Sequence, residues 1–223
     1  MPQFNALSTD NHRFAEQGSD PSTPASGFAR FYFKATGVYA MDDGGTVYPV
    51  YLYTQPKKEI YIPAVDMMVP LISGADNGGG FGIQSESTTN KVTLSSFDFD
   101  QTSVEYAQFN IWMPDTWDAG NLDFKVVWTA DAGTPAETVN WQLEAVAYAD
   151  SDPIDTAWGG GGGVLDTLLS LDDIHYSPLG TGLTVGGTPA AGGLVQFRIS
   201  RQTGSDNLAA DARLLGIKIY YSE

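Results

Sequence analysis

Residues 122–129 read LDFKVVWT. Leu122, Phe124, Val126 and Trp128 share one phase of a two-residue period, and Asp123, Lys125, Val127 and Thr129 share the other. This predicts a half-buried β-strand, because successive side chains of an extended chain point to opposite faces. Val139, Trp141, Leu143, Ala145 and Ala147 repeat the pattern, as do Val195, Phe197 and Ile199 against Gln196, Arg198 and Ser200. Leu215, Ile217, Ile219 and Tyr221 continue it, and their strongly apolar character predicts a central strand. The run EAVAYA (144–149) competes as a helix, but the β-branched and aromatic residues before it favour a strand.

Shorter strands are expected at Glu59–Ile62, Val92–Phe99, Val104–Met113, Val164–Thr167, Asp173–Tyr176 and Leu183–Val185. Within 104–113, Val104 and Tyr106 share one phase while Phe109, Ile111 and Met113 share the other. That change of phase predicts a bulge near Ala107 and Gln108. Met67–Val69 and Leu71–Ile72, split by Pro70, are expected to be irregular and buried, and Asp76–Gly82 (DNGGGFG) to be a glycine loop. About eight to ten strands with regularly spaced turns predict an all-β, antiparallel, jelly-roll-like β-sandwich over 59–223.

Ahead of that body, residues 1–27 show neither helical nor strand periodicity and are read as an extended arm. Phe4, Leu7 and Phe14 are its candidate anchors for docking into a groove on another subunit, the alternative being a terminus without a docking role. Residues 28–58 read as a three-stranded meander and a Tyr-rich connector. FARFYFK (28–34) is its first strand and Ala35–Gly37 its first turn; Val38–Met41, Asp42–Gly45 and Thr46–Tyr48 complete it. So small a sheet has little core of its own and gains stability by pairing with copies of itself. Phe28, Phe31, Phe33 and Tyr39 are the candidate residues of that joint.

The formal net charge is −16, from 27 acids and 11 bases. Five of each lie in 1–58, so 22 acids face six bases in 59–223 and the whole excess belongs to the body. Such a surface opposes binding to nucleic acid and to anionic membranes. There is no cysteine, which excludes disulfides, thiolate nucleophiles and cysteine-based zinc sites. No apolar run is long enough for a signal peptide or a bilayer span, so synthesis in the cytoplasm is expected.

Catalytic constellations are wanting. His12 lies in the arm, and His175, beside Asp172 and Asp173, lacks the partner that a nucleophilic triad or metal site needs. Asp98, Asp100, Thr102 and Glu105 have the oxygen spacing of a calcium loop without its central glycine, and equally suit a capped turn. The glycines 159–163 match no phosphate-binding motif and read as a flexible or tightly packed loop, and no carboxylate pair stands out for glycosidic cleavage. Neither a cofactor nor a metal is expected. Among five tryptophans, Trp128 and Trp141 fall on core phases; Trp117 and Trp158 lie in loops and are the candidate surface ligand contacts, the alternative being loop aromatics that plug the ends of the sandwich.

The stretch GSDPSTPASGFARFYFKATGVYAMDDGGTV (18–47) resembles a PSTPASG…FYFK…DD-x-GT segment found in virion structural proteins of tailed bacteriophages. TWDAGNLDFKVVWTA, DTAWG and LAADARLLGIKIYY look like the β-head that follows it in those proteins. The resemblance implies a non-enzymatic homotrimer located in the virion. Its partners would be the major capsid protein or tail and baseplate proteins, and in one case a host-surface glycan. Two stations on the virion compete, and a third hypothesis lies outside it. A capsid decoration or cement protein, held by its arm with the acidic head facing solvent, best suits the charge distribution. A short tail fibre or receptor-binding protein is the alternative, although the chain has neither a repeat nor a heptad shaft. A lectin-like sandwich working alone is the third.

Overall fold

The computed structural model describes residues 18–34, 37–50, 56–80 and 82–223. The expected anchors Phe4, Leu7 and Phe14, His12 and the turn at 35–36 lie outside these residues. The chain divides into two units, Met1–Thr54 and Gln55–Glu223. The boundary falls slightly before the expected one, because Lys57 binds Asp123 at 2.7 Å and Lys58 already opens a strand of the second unit. Among the described residues no helix is long and apolar enough to cross a membrane.

The first unit is the expected antiparallel meander of β1 (Arg30–Lys34), β2 (Gly37–Met41) and β3 (Val47–Pro49). Tyr32 and Met41 are buried and Tyr32 stacks on Tyr39. The Pro/Ser/Thr run closes over the sheet through polar bonds. Asp20 accepts from the Tyr32 hydroxyl and pairs with Lys34, both at 2.6 Å, Arg30 donates to the Ser22 carbonyl at 2.9 Å, and the Gly27 amide donates to Asp43 at 2.7 Å. In the turn before β3, the Asp42 carboxylate accepts from the amides of Gly44 and Thr46, and Gly45 takes a positive φ of 82°. A side chain there would be strained.

The second unit is an antiparallel β-sandwich. Its strands are β4 (Lys58–Pro63), β5 (Ile83–Glu86), β6 (Thr93–Phe99), β7 (Tyr106–Trp112), β8 (Leu122–Thr129) and β9 (Thr138–Tyr148). They continue with β10 (Gly162–Thr167), β11 (His175–Tyr176), β12 (Gly180–Leu183), β13 (Val185–Gly187), β14 (Leu194–Arg201) and β15 (Ala212–Tyr221). One sheet runs β11-β8-β15-β6-β5, with β12 added beside β8 and β4 beside β15; the other runs β10-β9-β14-β7, with β13 parallel to β9. Taking β6 to β10, β11 with β12, β14 and β15 as eight successive strands, the chain passes between the sheets at every step except the β9–β10 hairpin, in two interlocked Greek keys. That is the jelly-roll connectivity. As its sequence suggests, β15 is central, bonded to β8 on one side and to β4 and β6 on the other.

The inward faces carry the core read from the alternating segments. Trp128, Trp141, Phe97, Phe99, Phe124, Phe197, Leu143 and Ile217 are fully buried, with Phe109 stacked on Phe197 at 4.9 Å. Three expectations are corrected. First, β7 pairs with β14 in unbroken register from Tyr106 to Trp112, so there is no bulge at Ala107 and Gln108; Val104 stands before the strand. The bulge lies in β15 at Leu214–Gly216, where Leu215 is the extra residue. It moves the inward phase from Leu214 to Ile217, and the Tyr61 hydroxyl and Ile62 carbonyl leave no space for a Cβ at Gly216. Second, the 67–72 segment is irregular but largely exposed: Met67 is buried, whereas Leu71 and Ile72 face solvent. Third, Trp117 is not on the surface.

Candidate functional site

The jelly roll leaves the outer face of the five-stranded sheet only partly covered, with Val146 and Ser200 buried on it, and register fixes what stands there. Inward residues of β14 face inward residues of its neighbours, so the outward ones also align in rows across β7, β14 and β9. Trp112, Leu194 and Tyr148 make one row, Asn110, Gln196 and Val146 the next, then Gln108, Arg198 and Glu144, then Tyr106, Ser200 and Gln142. The segment 152–158 rises beside this face and closes a groove of about 760 Å³, lined by Gln108, Tyr148, Asp152, Ile154, Asp155, Thr156, Trp158, Leu194 and Gln196. That volume is typical of small-molecule sites.

The groove is held by its own side chains. Arg198 donates twice to one Glu144 oxygen, at 2.9 and 2.6 Å, and its guanidinium lies 4.6 Å from the Tyr106 ring and 4.8 Å from the Trp158 ring. Trp158 is thereby fixed by a cation–π contact to a charge already neutralised. The Tyr148 hydroxyl donates to the Ile154 carbonyl at 2.8 Å, the Ala149 amide to Asp152 at 2.8 Å, and the Thr156 hydroxyl to the Pro153 carbonyl at 2.6 Å. The Gly159 amide then rejoins the sheet at the Ala145 carbonyl, where the backbone of Thr184 and Gly186 leaves no room for a Cβ. The glycine run is therefore tightly packed at its start. On the floor, Gln196 donates to Gln108 at 3.2 Å.

Of the two tryptophans read as surface contacts, Trp158 lines this groove and Trp117 is 2% exposed. Trp117 follows a turn closed by its amide on the Pro114 carbonyl at 3.0 Å, which folds the ring into the sandwich. The structure adds Trp112, 72% exposed at the end of β7. Its outward direction was written in the sequence, since Phe109, Ile111 and Met113 point inward. In the meander, Phe28 and Phe31 are each 68% exposed, while Phe33 and Tyr39 are half-buried.

The acidic and histidine clusters are occupied by structural bonds. Asp100 caps a turn, accepting from the amides of Thr102 and Ser103 and the Thr102 hydroxyl, which holds its carboxyl below the ordinary value. Glu105 accepts from the Asp100 amide, yet burial pushes its carboxyl up. Asp98 on β6 faces Ser96 of the same strand and Arg213 of β15, and burial raises it despite both partners. His175 packs against Trp128, the tilted rings 4.7 Å apart, and donates to the Ser170 carbonyl at 3.1 Å. Among the described residues no three such groups converge on a metal position.

No protein-family model and no curated protein sequence matches the chain. Among solved structures it is similar to the CBM36-1 domain of a multidomain xylanase from the hindgut metagenome of Trinervitermes trinervoides. The two share 11% identity at a TM-score of 0.38, over 73% of this chain and 96% of that one.

Proposed function

We propose that this chain is a non-enzymatic structural protein of a tailed-bacteriophage particle, its meander serving as the joint of a homotrimer and its jelly roll as the displayed head. The observation that carries the reading is the closed polar clasp of the first unit. The residues that bear the resemblance are the ones that build it: Asp20 and Ser22 hold Tyr32, Lys34 and Arg30, and Asp43 holds Gly27. The unit then presents Phe28 and Phe31 to solvent, a pair of rings suited to burial against a second copy. The charge distribution favours capsid decoration, with the acidic head outward.

A second station, receptor binding, is favoured by the groove on the outer sheet, which a cement protein does not need. Gel densitometry of purified phage against the major capsid protein separates the two. Decoration requires many copies per particle and loss of capsid binding when residues 1–20 are deleted. Receptor binding requires few copies and adsorption blocked by antibody against the head. Absence of the chain from the particle overturns both.

A further inference from the structure

We infer that the groove on the outer face of the five-stranded sheet binds a neutral oligosaccharide. Three features of the site choose that ligand. The walls are aromatic: Trp158 and Tyr148 flank the groove, and Trp112 stands in the same row as Tyr148 across Leu194. Rings of this kind pack against the apolar faces of sugar rings while leaving hydroxyls free. The floor is an amide pair, and each carboxamide offers two donor hydrogens and two acceptor lone pairs. The bond between Gln196 and Gln108 uses one donor and one acceptor, which leaves the pair further capacity for hydroxyls, which both donate and accept.

Charge supplies the third feature. Among the described residues, Arg198 is the cation beside the groove and Glu144 neutralises it, while Asp152 and Asp155 add negative charge to the lining. On a chain of net charge −16, a phosphorylated or acidic saccharide meets repulsion, and no cation other than Arg198 lines the site among the described residues. A second copy of the equally acidic head is opposed in the same way. Tyr148 and Trp112 lie two strand spacings apart, about 10 Å, which suits several linked sugar rings better than one. The bonds that pin 148–159 mean that little ordering cost is left for binding.

The inference does not depend on where the protein is assembled. The test is binding of the purified full chain to an immobilised panel of neutral oligosaccharides covering hexoses, pentoses, deoxyhexoses and N-acetylhexosamines, alongside sialylated and uronic-acid glycans. Neutral glycans are expected to bind and acidic ones are not. Trp158→Ala is expected to weaken binding by roughly 30-fold, as removal of an aromatic anchor does, and Trp112→Ala by less. Gln196→Ala, which leaves both rings in place, should also weaken binding without altering near-UV circular dichroism, so a folding defect at Trp158 would not mask the result. Failure of every neutral glycan to bind, preference for acidic ones, or binding unchanged by both Trp158→Ala and Gln196→Ala overturns the inference. So does self-association that Trp158→Ala abolishes, since the groove would then hold a second copy. Presence in the particle without glycan binding sinks this inference alone; glycan binding by a chain absent from phage sinks only the particle reading.

Discussion

In the meander the strands are held mainly by polar groups at the surface, with Tyr32 and Met41 buried beneath them. In the jelly roll two sheets bury whole tryptophans and phenylalanines between them, and, with the indole nitrogens of Trp117 and Trp141 and the Thr129 hydroxyl as exceptions, most polar groups that remain inside are bonded. Arg201 shows this best. It is completely buried, pairs with Asp206, and donates to the carbonyls of Phe99, Ala210 and Leu208. Apolar burial scales with the area two layers can hide, which a lone three-stranded sheet cannot supply. The meander would therefore gain stability from a partner, whereas the head has a core of its own.

The largest effect that can test this contrast lies in the head. Arg201→Ala leaves Asp206 buried and unpaired, and is expected to cost about 3–5 kcal/mol. Urea unfolding followed by tryptophan fluorescence measures it, and a loss under about 1 kcal/mol would mean that the network is not the closed one described. Gly216→Ala should cost about 1–3 kcal/mol, since the β15 bulge has no room for a methyl group. An unchanged midpoint would place the bulge elsewhere. Phe28→Ser with Phe31→Ser should convert a self-associated species to monomer in analytical ultracentrifugation. Away from the head's core, the pair should move its unfolding by no more than about 0.5 kcal/mol. A trimer that survives both changes would separate the joint from these rings.

The smallest effect concerns protons. Hydrogen bonds from Lys34 and Tyr32 hold Asp20 below the ordinary aspartate value, whereas burial holds Asp98 above it. The signs are opposite. The contribution of Asp20 is present above the ordinary value and lost as pH falls through its lowered one. That of Asp98 is complete below the ordinary value and lost as pH rises through its raised one. Carboxyl carbon shifts followed by NMR should give two separated midpoints, with Asp98 the higher; coincident curves would remove the distinction. Tyr32, pushed up to about 12 by desolvation and by Asp20, should ionise late in an ultraviolet titration.

The core was legible because it depends on period alone: Leu122–Thr129 and Val139–Ala147 announce their inward faces without knowledge of their neighbours. The groove was legible only at Trp158. Gln108 and Gln196 are far apart in the chain, and they meet because β7 pairs with β14, a fact of sheet order that alternation does not carry. Trp117 misled because a loop position was read as exposure, while the turn at Pro114 returns the ring to the interior. The β15 bulge was missed for a related reason. Leu214 and Leu215 are both apolar, so the composition of the strand hides the residue at which its phase changes.

The place of β15 also bears on how the head comes into being. It follows every other strand of the sandwich in the chain, yet it lies between β8 and both β4 and β6. During synthesis, the sheet containing β8 and β6 has no middle until residues 212–221 have left the ribosome. Until then its earlier strands wait with unpaired edges, a state prone to association with other chains. That sheet can be completed only around β15, the last of the sandwich's strands in the chain.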